Sequence, residues 1–288
     1  MDANIHYAMS NADYHAKKDS YSSSLIKMMD VPAEARHYMT APREYKQCWS
    51  IGSAIHKYIL EREDFSSEFL TGISEARRSS ANKKDWAQWF SDQGADGSGI
   101  VEGAAATWNG KFEQQTGKNM VTPEEIADIK MMSDAICDDP DALQLIVGGA
   151  AESSIFWTDE DTGLRLRIRP DYFTDNFTTD LKSIESLSDA SITRAIANMG
   201  YGISAAMYQD GTFNLTGNQT PFVFLFIQKK APFMTRTICL DELSQSAFLQ
   251  KYIGLKEKLA NCIRNDVWKK RENDLSFSLP DWAVFKGN

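Results

Sequence analysis

The 288-residue chain reads as an α/β protein: a mixed central β-sheet flanked by helices, preceded by a helical N-terminal region. Three observations predict this. Up to about residue 147 the apolar residues recur at helical spacing. Between Glu152 and Lys182 they alternate over short stretches separated by turn residues. Beyond that, helical patterns flank the continuous apolar run Phe222–Ile227, which suits a strand covered on both faces.

In chain order, Tyr21-Ser22-Ser23-Ser24 supplies an N-cap for a helix carrying Leu25, Ile26, Met28 and Met29. Residues 51–62 form a second helical pattern with Ile51, Ile55, Tyr58 and Ile59 on one stripe. Residues 71–120, rich in Gly, Ser, Lys and Gln, predict a mobile insertion with short helices, looped from Asp92 to Gly99. Thr122-Pro123-Glu124-Glu125 opens a helix over 123–147. Glu152–Trp157 predicts a strand, Asp159–Gly163 a hairpin turn, and Leu164–Arg169 a strand of strict alternation. Phe177–Lys182 is a further strand. A helix follows from about Asp189, broken near Gly200 and Gly202 and resuming to about Phe213. After the 222–227 strand come a strand over Thr235–Leu240, a helix over Asp241–Val267, and a polar tail containing Leu279-Pro280-Asp281-Trp282.

Composition narrows the class. Hydrophobic residues at 42% and charged residues at 25% are the balance of a globular protein. No apolar run reaches the roughly 18 residues that span a bilayer. The first residues lack the basic start and apolar stretch of a signal peptide, so the expected compartment is the cytoplasm. Cys48, Cys137, Cys239 and Cys262 are far apart, with no spacing suggestive of zinc or a redox pair, and free thiols are expected. A four-cysteine iron–sulfur cluster would usually carry at least one close pair. The net charge of −9 argues against a protein that coats nucleic acid, yet it is compatible with an enzyme that has a focused basic groove.

The segment that carries chemistry is Pro170-Asp171, followed after eight residues by Asp180-Leu181-Lys182. Asp180 and Lys182 are two apart on a strand, so both side chains leave one face. A hairpin would return Asp171 beside Asp180. Two carboxylates so placed repel unless a cation lies between them. Mg²⁺ suits that role, being held by one or two carboxylates plus water and substrate phosphate, and Mn²⁺ is accepted by the same ligands. Lys182 would then stabilise developing negative charge. Asp-x-Lys by itself also describes an ordinary solvated strand face. Glu152, at the start of the preceding strand, is either a third acid of the site or an exposed strand end. His56, on the 51–62 helix with Gly52 one turn before it, is either a packed boundary residue or a metal or phosphate contact.

These residues recur in a wider likeness. Met9–His15, Gly52–His56 with Leu60-Glu61 and Asp64-Phe65, Ala151–Trp157, Arg169-Pro170-Asp171, Asp180-Leu181-Lys182, Tyr208 with Asp210-Gly211, Pro221–Leu225 and Leu279–Ala283 follow one another as in RecE-type exonucleases. The chain thus resembles the exonuclease VIII branch of the PD-(D/E)xK superfamily over most of its length. The resemblance implies a single exonuclease domain over 1–288, with a PD-(D/E)xK (restriction-endonuclease-like) core. Residues 1–147 would form the mainly helical part contributing His56, and 148–288 the catalytic sheet. It implies a Mg²⁺-dependent 5′-to-3′ exonuclease on double-stranded DNA ends. The enzyme would leave 3′ single strands for a RecT-like annealing protein and assemble as a homotetrameric ring. By the same likeness His56, Asp171, Asp180 and the Leu181 carbonyl are metal ligands, Lys182 is the catalytic lysine, and Glu152 is an acidic site position. One departure stands out: Ser204 occupies the place of a glutamine four residues before Tyr208, and serine is shorter and lacks the paired donor and acceptor of an amide.

For DNA contacts, the resemblance points to Tyr208 and Ser204, while Arg165, Arg167 and Arg169 share one strand face and line either a phosphate groove or a solvated surface. Arg77-Arg78 and Lys83-Lys84 either grip phosphates or decorate a charged loop. Trp86, Trp89 and Phe90 either stack on a DNA end or pack their helix down. Beside the exonuclease stand two other readings: a nuclease-fold DNA-end-binding module with weak or lost catalysis, and a structure-specific endonuclease of the same superfamily.

Overall fold

The structure is a computed structural model that describes residues 3–41, 47–74 and 82–271. It opens with β1 (Asn4–His6) and α1 (Asn11–Ala16), where Ser10 caps the helix by accepting from the Asp13 amide at 3.0 Å. β2 (Tyr21–Ser22) runs straight into α2 (Ser23–Met28), followed by α3 (Pro32–Thr40) and α4 (Gln47–Leu60), so both predicted helices are present. Next come α5 (Phe65–Glu68), β3 (Phe69–Thr71), α6 (Lys83–Asp92), α7 (Gly97–Ile100), α8 (Trp108–Thr116) and β4 (Asn119–Val121). A capping box of Thr122 and Glu125 starts α9 (Pro123–Asp138). The single helix expected to residue 147 is broken at Asp139, which caps the short α10 (Pro140–Leu143), because Pro140 cannot continue an incoming helix.

β5 (Ala150–Ala151), β6 (Ser154–Thr158), β7 (Arg165–Ile168), β8 (Tyr172–Phe173) and β9 (Thr178–Ile184) then follow in quick succession. α11 (Asp189–Asn198) and α12 (Tyr201–Thr216) flank the break foreseen at Gly200. β10 (Phe222–Gln228), β11 (Thr235–Ile238) and α13 (Glu242–Asn265) complete the described chain.

The main sheet has five strands in the order β11-β10-β9-β8-β5. It is mixed, as expected: β9 and β10 are parallel and the other pairs antiparallel. Its interior strand β10 explains the apolar run. Val223, Leu225 and Ile227 pack with α4 and α9 on one face, while Phe222, Phe224 and Phe226 pack with α11 and α12 on the other. The strands around the turn at Asp159–Gly163, however, belong elsewhere. β6 and β7 form a hairpin inside a second sheet, ordered β1-β6-β7-β2, which packs on α2, α12 and α13. The chain therefore crosses between sheets twice, at Glu152 and at Arg169–Asp171. A single pleat running from Arg165 to Asp171 is not formed.

The short helices expected between residues 71 and 120 are present and pack together. Between the paired strands β3 and β4 a compact cluster is built from Trp86, Phe90, Ile100, Trp108 and Phe112, all fully buried. The segment from Asp92 to Gly99, expected as loop, ends α6 and starts α7. Gly97 sits there because a Cβ would lie 1.9 Å from the Ala87 carbonyl oxygen. Trp86, Trp89 and Phe90 thus pack their helix down and do not present a stacking platform. Arg77, Arg78 and the Leu279–Trp282 tail lie outside the described residues. Cys137, Cys239 and Cys262 are free thiols. Among the described residues, no helix is long and apolar enough to cross a membrane.

Candidate active site

The pleat of β9 sends Asp180 and Lys182 to the same side, and the Lys182 ammonium lies 2.7 Å from Asp180 Oδ2 and 3.3 Å from the Leu181 carbonyl oxygen. Asp171, in the link from β7 to β8, is tied to that strand by its backbone: the Leu181 amide donates to Asp171 Oδ2 at 2.7 Å. Lys182 stands 3.7 Å from the same oxygen. At the other crossing, the Glu152 amide donates to the Asp171 carbonyl at 3.0 Å, so the two points where the chain changes sheet hold each other. Glu152 adopts φ +48°, a left-handed conformation that turns it out of the strand and toward Asp171. Arg169 fixes its carboxylate, with Nε donating to Glu152 Oε2 at 2.7 Å and Nη1 to Ser154 Oγ at 2.8 Å and to the Met9 carbonyl at 2.9 Å.

α4 delivers His56, whose Nδ1 lies 3.4 Å from Asp171 Oδ1 and 3.9 Å from Glu152 Oε1. His56, Glu152 and Asp171 each offer a ligand atom within 4.8 Å of the others. One imidazole nitrogen, two carboxylates and the nearby Leu181 carbonyl make a donor set that fits a hard to borderline divalent cation. Asp180 is outside this group of three and is ion-paired to Lys182.

Burial disfavours charge throughout the cluster, and the neighbours decide the outcome. For His56, burial pulls the pKa down, but Asp171 and Glu152 outweigh it and raise it to about 10. Asp171 is raised by burial, yet His56, Lys182 and the Leu181 amide bring it down to about 2. Asp180 is shifted upward, by burial first and by the Asp171 charge, against the pull of Lys182. Lys182 loses by burial and gains more from Asp180 and Asp171, so its ammonium is held well above the ordinary lysine value.

The other predicted residues divide. Arg167 is buried: Nη1 donates to the Lys17 carbonyl and to Ser20 Oγ, and the guanidinium lies 5.0 Å from the Tyr14 ring centroid. Arg169 is used on Glu152. Neither lines the open groove that the alternation suggested, because α1 covers that face. Arg165 donates to Thr158 across the hairpin at 3.2 Å. The Tyr208 hydroxyl donates to the Arg169 carbonyl at 3.0 Å, one residue ahead of Pro170. Ser204 is buried in α12, one turn before it. Two residues at the site had no local signal: Tyr201, whose ring centroid is 5.4 Å from the Lys182 ammonium, and Lys27, 5.9 Å from the same ring.

A model of the PDDEXK-like domain of unknown function (DUF3799) matches residues 22–275. The chain belongs to this family. Its fold also matches a crystal structure named "Putative exonuclease" from Eubacterium rectale, with a TM-score of 0.59 and 16% identity over 98% of this chain and 100% of that one. No curated protein matches the chain. In this PDDEXK-like protein, Pro170-Asp171 and Asp180-Leu181-Lys182 have the form of the family's motif, and they meet at one point in space. PDDEXK nucleases use divalent metals, and the histidine and carboxylates gathered here suit one.

Proposed function

We propose that the protein is a metal-dependent exodeoxyribonuclease of RecE type that degrades linear double-stranded DNA from 5′ to 3′. The observation that carries this reading is the convergence of Asp171, Asp180 and Lys182 beside the His56–Glu152–Asp171 cluster. The collinear likeness along the chain and the fold shared with a protein named as an exonuclease support it. His56, Glu152 and Asp171 would hold the cation, Mg²⁺ with Mn²⁺ accepted, beside the Leu181 carbonyl. Bound there, such an ion lowers the pKa of a ligated water and offsets the charge of the phosphate.

The protein's own part is positioning and charge. Lys182, 2.7 Å from Asp180 and 3.7 Å from Asp171, is placed as a donor beside the carboxylates. It can orient the attacking water and stabilise negative charge developing on the phosphoryl oxygens. Asp180 sets the Lys182 rotamer through their 2.7 Å contact. Arg169 holds Glu152, and the Leu181 amide holds Asp171, so the carboxylates meet substrate with little reorganisation. The same reading carries 3′ single strands as product, a RecT-like annealing protein as partner, a homotetrameric ring and a cytoplasmic site of action. Ser204, in place of the glutamine of relatives, favours a second reading: a DNA-end-binding module of weak catalysis.

The test is degradation of linear duplex labelled separately at its 5′ and 3′ ends, with Mg²⁺ and with EDTA. Asp180→Ala and Lys182→Ala run alongside, with closed circular duplex as control. Metal-dependent loss of 5′ label from linear DNA alone, abolished by both substitutions, is the expected result. Cutting of the closed circle would make it an endonuclease. End binding with no cleavage would select the second reading.

A further inference from the structure

Lys27 is a cation at this site with no assigned task. It lies on α2, and its stem passes over Gly200, where a Cβ would meet Lys27 Cδ at 2.7 Å. Its ammonium is 5.9 Å from the centroid of the Tyr201 ring, and the Lys182 ammonium is 5.4 Å from the same centroid. The neighbouring cations are satisfied: Lys182 by Asp180 and Asp171, Arg169 by Glu152, Lys57 by Glu61 and Glu68. Among the described residues, no carboxylate lies within 4.0 Å of Lys27 Nζ. Lys27 is nevertheless half-buried. Burial and the Lys182 charge pull its pKa down, and only the more distant Asp180 pulls it up. It also lines an open cavity of about 440 Å³ with Ser24, Asp30, Glu34, Met199 and Arg271.

A partly desolvated ammonium without a counter-ion is unfavourable until an anion arrives. Lys182, against the same ring, faces the position proposed for the reacting phosphate. We propose that Lys27 binds the backbone phosphate next to the one at Lys182, so that two ammoniums leaning on Tyr201 hold consecutive phosphates of one DNA strand. This rests on the nuclease reading for its substrate, and it adds a positioning contact on α2 that the Asp-x-Lys motif does not contain.

The test uses the full chain carrying Asp180→Asn, with Mg²⁺, so that binding is read without turnover. Affinity for a linear duplex end is measured by fluorescence anisotropy over a range of salt. Lys27→Met keeps the apolar stem and removes the charge. It is expected to weaken binding about 10-fold. It should also flatten the slope of log affinity against log salt by about 0.9, the release of one counter-ion. Lys27→Arg should restore the slope, and both variants should melt with their parent. An unchanged slope in Lys27→Met overturns the proposal, even if the wild type cleaves DNA. A flattened slope in a protein whose wild type never cleaves would sustain the phosphate contact and sink the nuclease reading instead.

Discussion

The cluster between β3 and β4 and the crossing around Asp171 solve opposite problems. The first buries Trp86, Phe90, Trp108 and Phe112, large and mostly apolar groups that gain by leaving water. The second gathers His56, Glu152, Asp171, Asp180 and Lys182, groups that lose a great deal unless paired. In the first region the side chains hold the backbone together. In the second the backbone, through the Leu181 and Glu152 amides, holds side chains where they would not otherwise sit. Stability should therefore reside in the first region and activity in the second, and substitutions can separate the two.

The largest effect is expected at Lys182. Lys182→Ala should lower cleavage by about 10²–10³-fold or more, the usual cost of one preorganised charge-stabilising donor. Asp180→Asn should do likewise while melting close to the wild type in EDTA, because the folded surroundings already disfavour its charge and Asp171 remains beside Lys182. A melting temperature that collapsed together with activity would show that the carboxylates hold the fold. Trp108→Ala is the converse. It should cost about 3–5 kcal/mol by emptying a fully buried site. Hydrogen exchange should rise first within residues 83–121, with cleavage per folded molecule retained. Exchange rising evenly over both sheets would instead join this cluster to the main core.

A third site tests a buried charge that serves the scaffold. Lys256 of α13 is ion-paired with Asp159 in the turn between β6 and β7, and both are almost fully buried. Lys256→Met leaves that carboxylate without its partner and should cost about 3–5 kcal/mol, which calorimetry would read as a fall in melting temperature on the order of 10 °C. Burial raises the Asp159 pKa, but hydrogen bonds from Lys256 and Thr162 outweigh it and leave a net lowering. A depressed folded pKa stabilises the protein above the ordinary aspartate value of 3.8, and that stability is lost as pH falls below it. Asp159→Asn should therefore show a flatter acid limb in a stability–pH profile than the wild type. Parallel limbs would mean that the pair contributes nothing there.

What the sequence made legible follows from how local each signal is. The turn at Asp159–Gly163, the helix start at Thr122-Pro123 and the Asp180–Lys182 face are read within a few residues, and all three stand in the structure. The alternation of Arg165, Arg167 and Arg169 gave a face, but not what covers it, since Tyr14 and Lys17 arrive from about 150 residues away. The aromatic cluster was hidden because Trp86 and Phe90 find Trp108 and Phe112 only across a separation of about 20 residues that includes α7, amid polar residues that read as unstructured. The change of sheet at Glu152 depends on a positive φ that no glycine announced. Lys27 and Tyr201 reach the site through tertiary packing alone.

The smallest expected effect is the one that best separates resemblance from geometry. The resemblance makes Tyr208 a DNA contact, whereas its hydroxyl here donates to the Arg169 carbonyl and its ring packs edge-on to Phe222. Arg169 in turn holds Glu152, and Pro170-Asp171 follows directly, so that hydroxyl bears on two members of the cluster at once. Tyr208→Phe keeps the ring and removes one hydrogen bond, for a stability loss of about 0.5–1.5 kcal/mol. If the hydroxyl positions the carboxylates, Mn²⁺ titrated calorimetrically without DNA should bind more weakly, within the about 10–100-fold seen when outer partners of metal ligands are lost. Arg169→Lys should reproduce that loss, since lysine cannot span Glu152, Ser154 and Met9 together. Unchanged Mn²⁺ affinity with weakened DNA-end binding would return Tyr208 to the DNA. It would also mean that the crossing at Asp171 is held by the Leu181 and Glu152 amides alone.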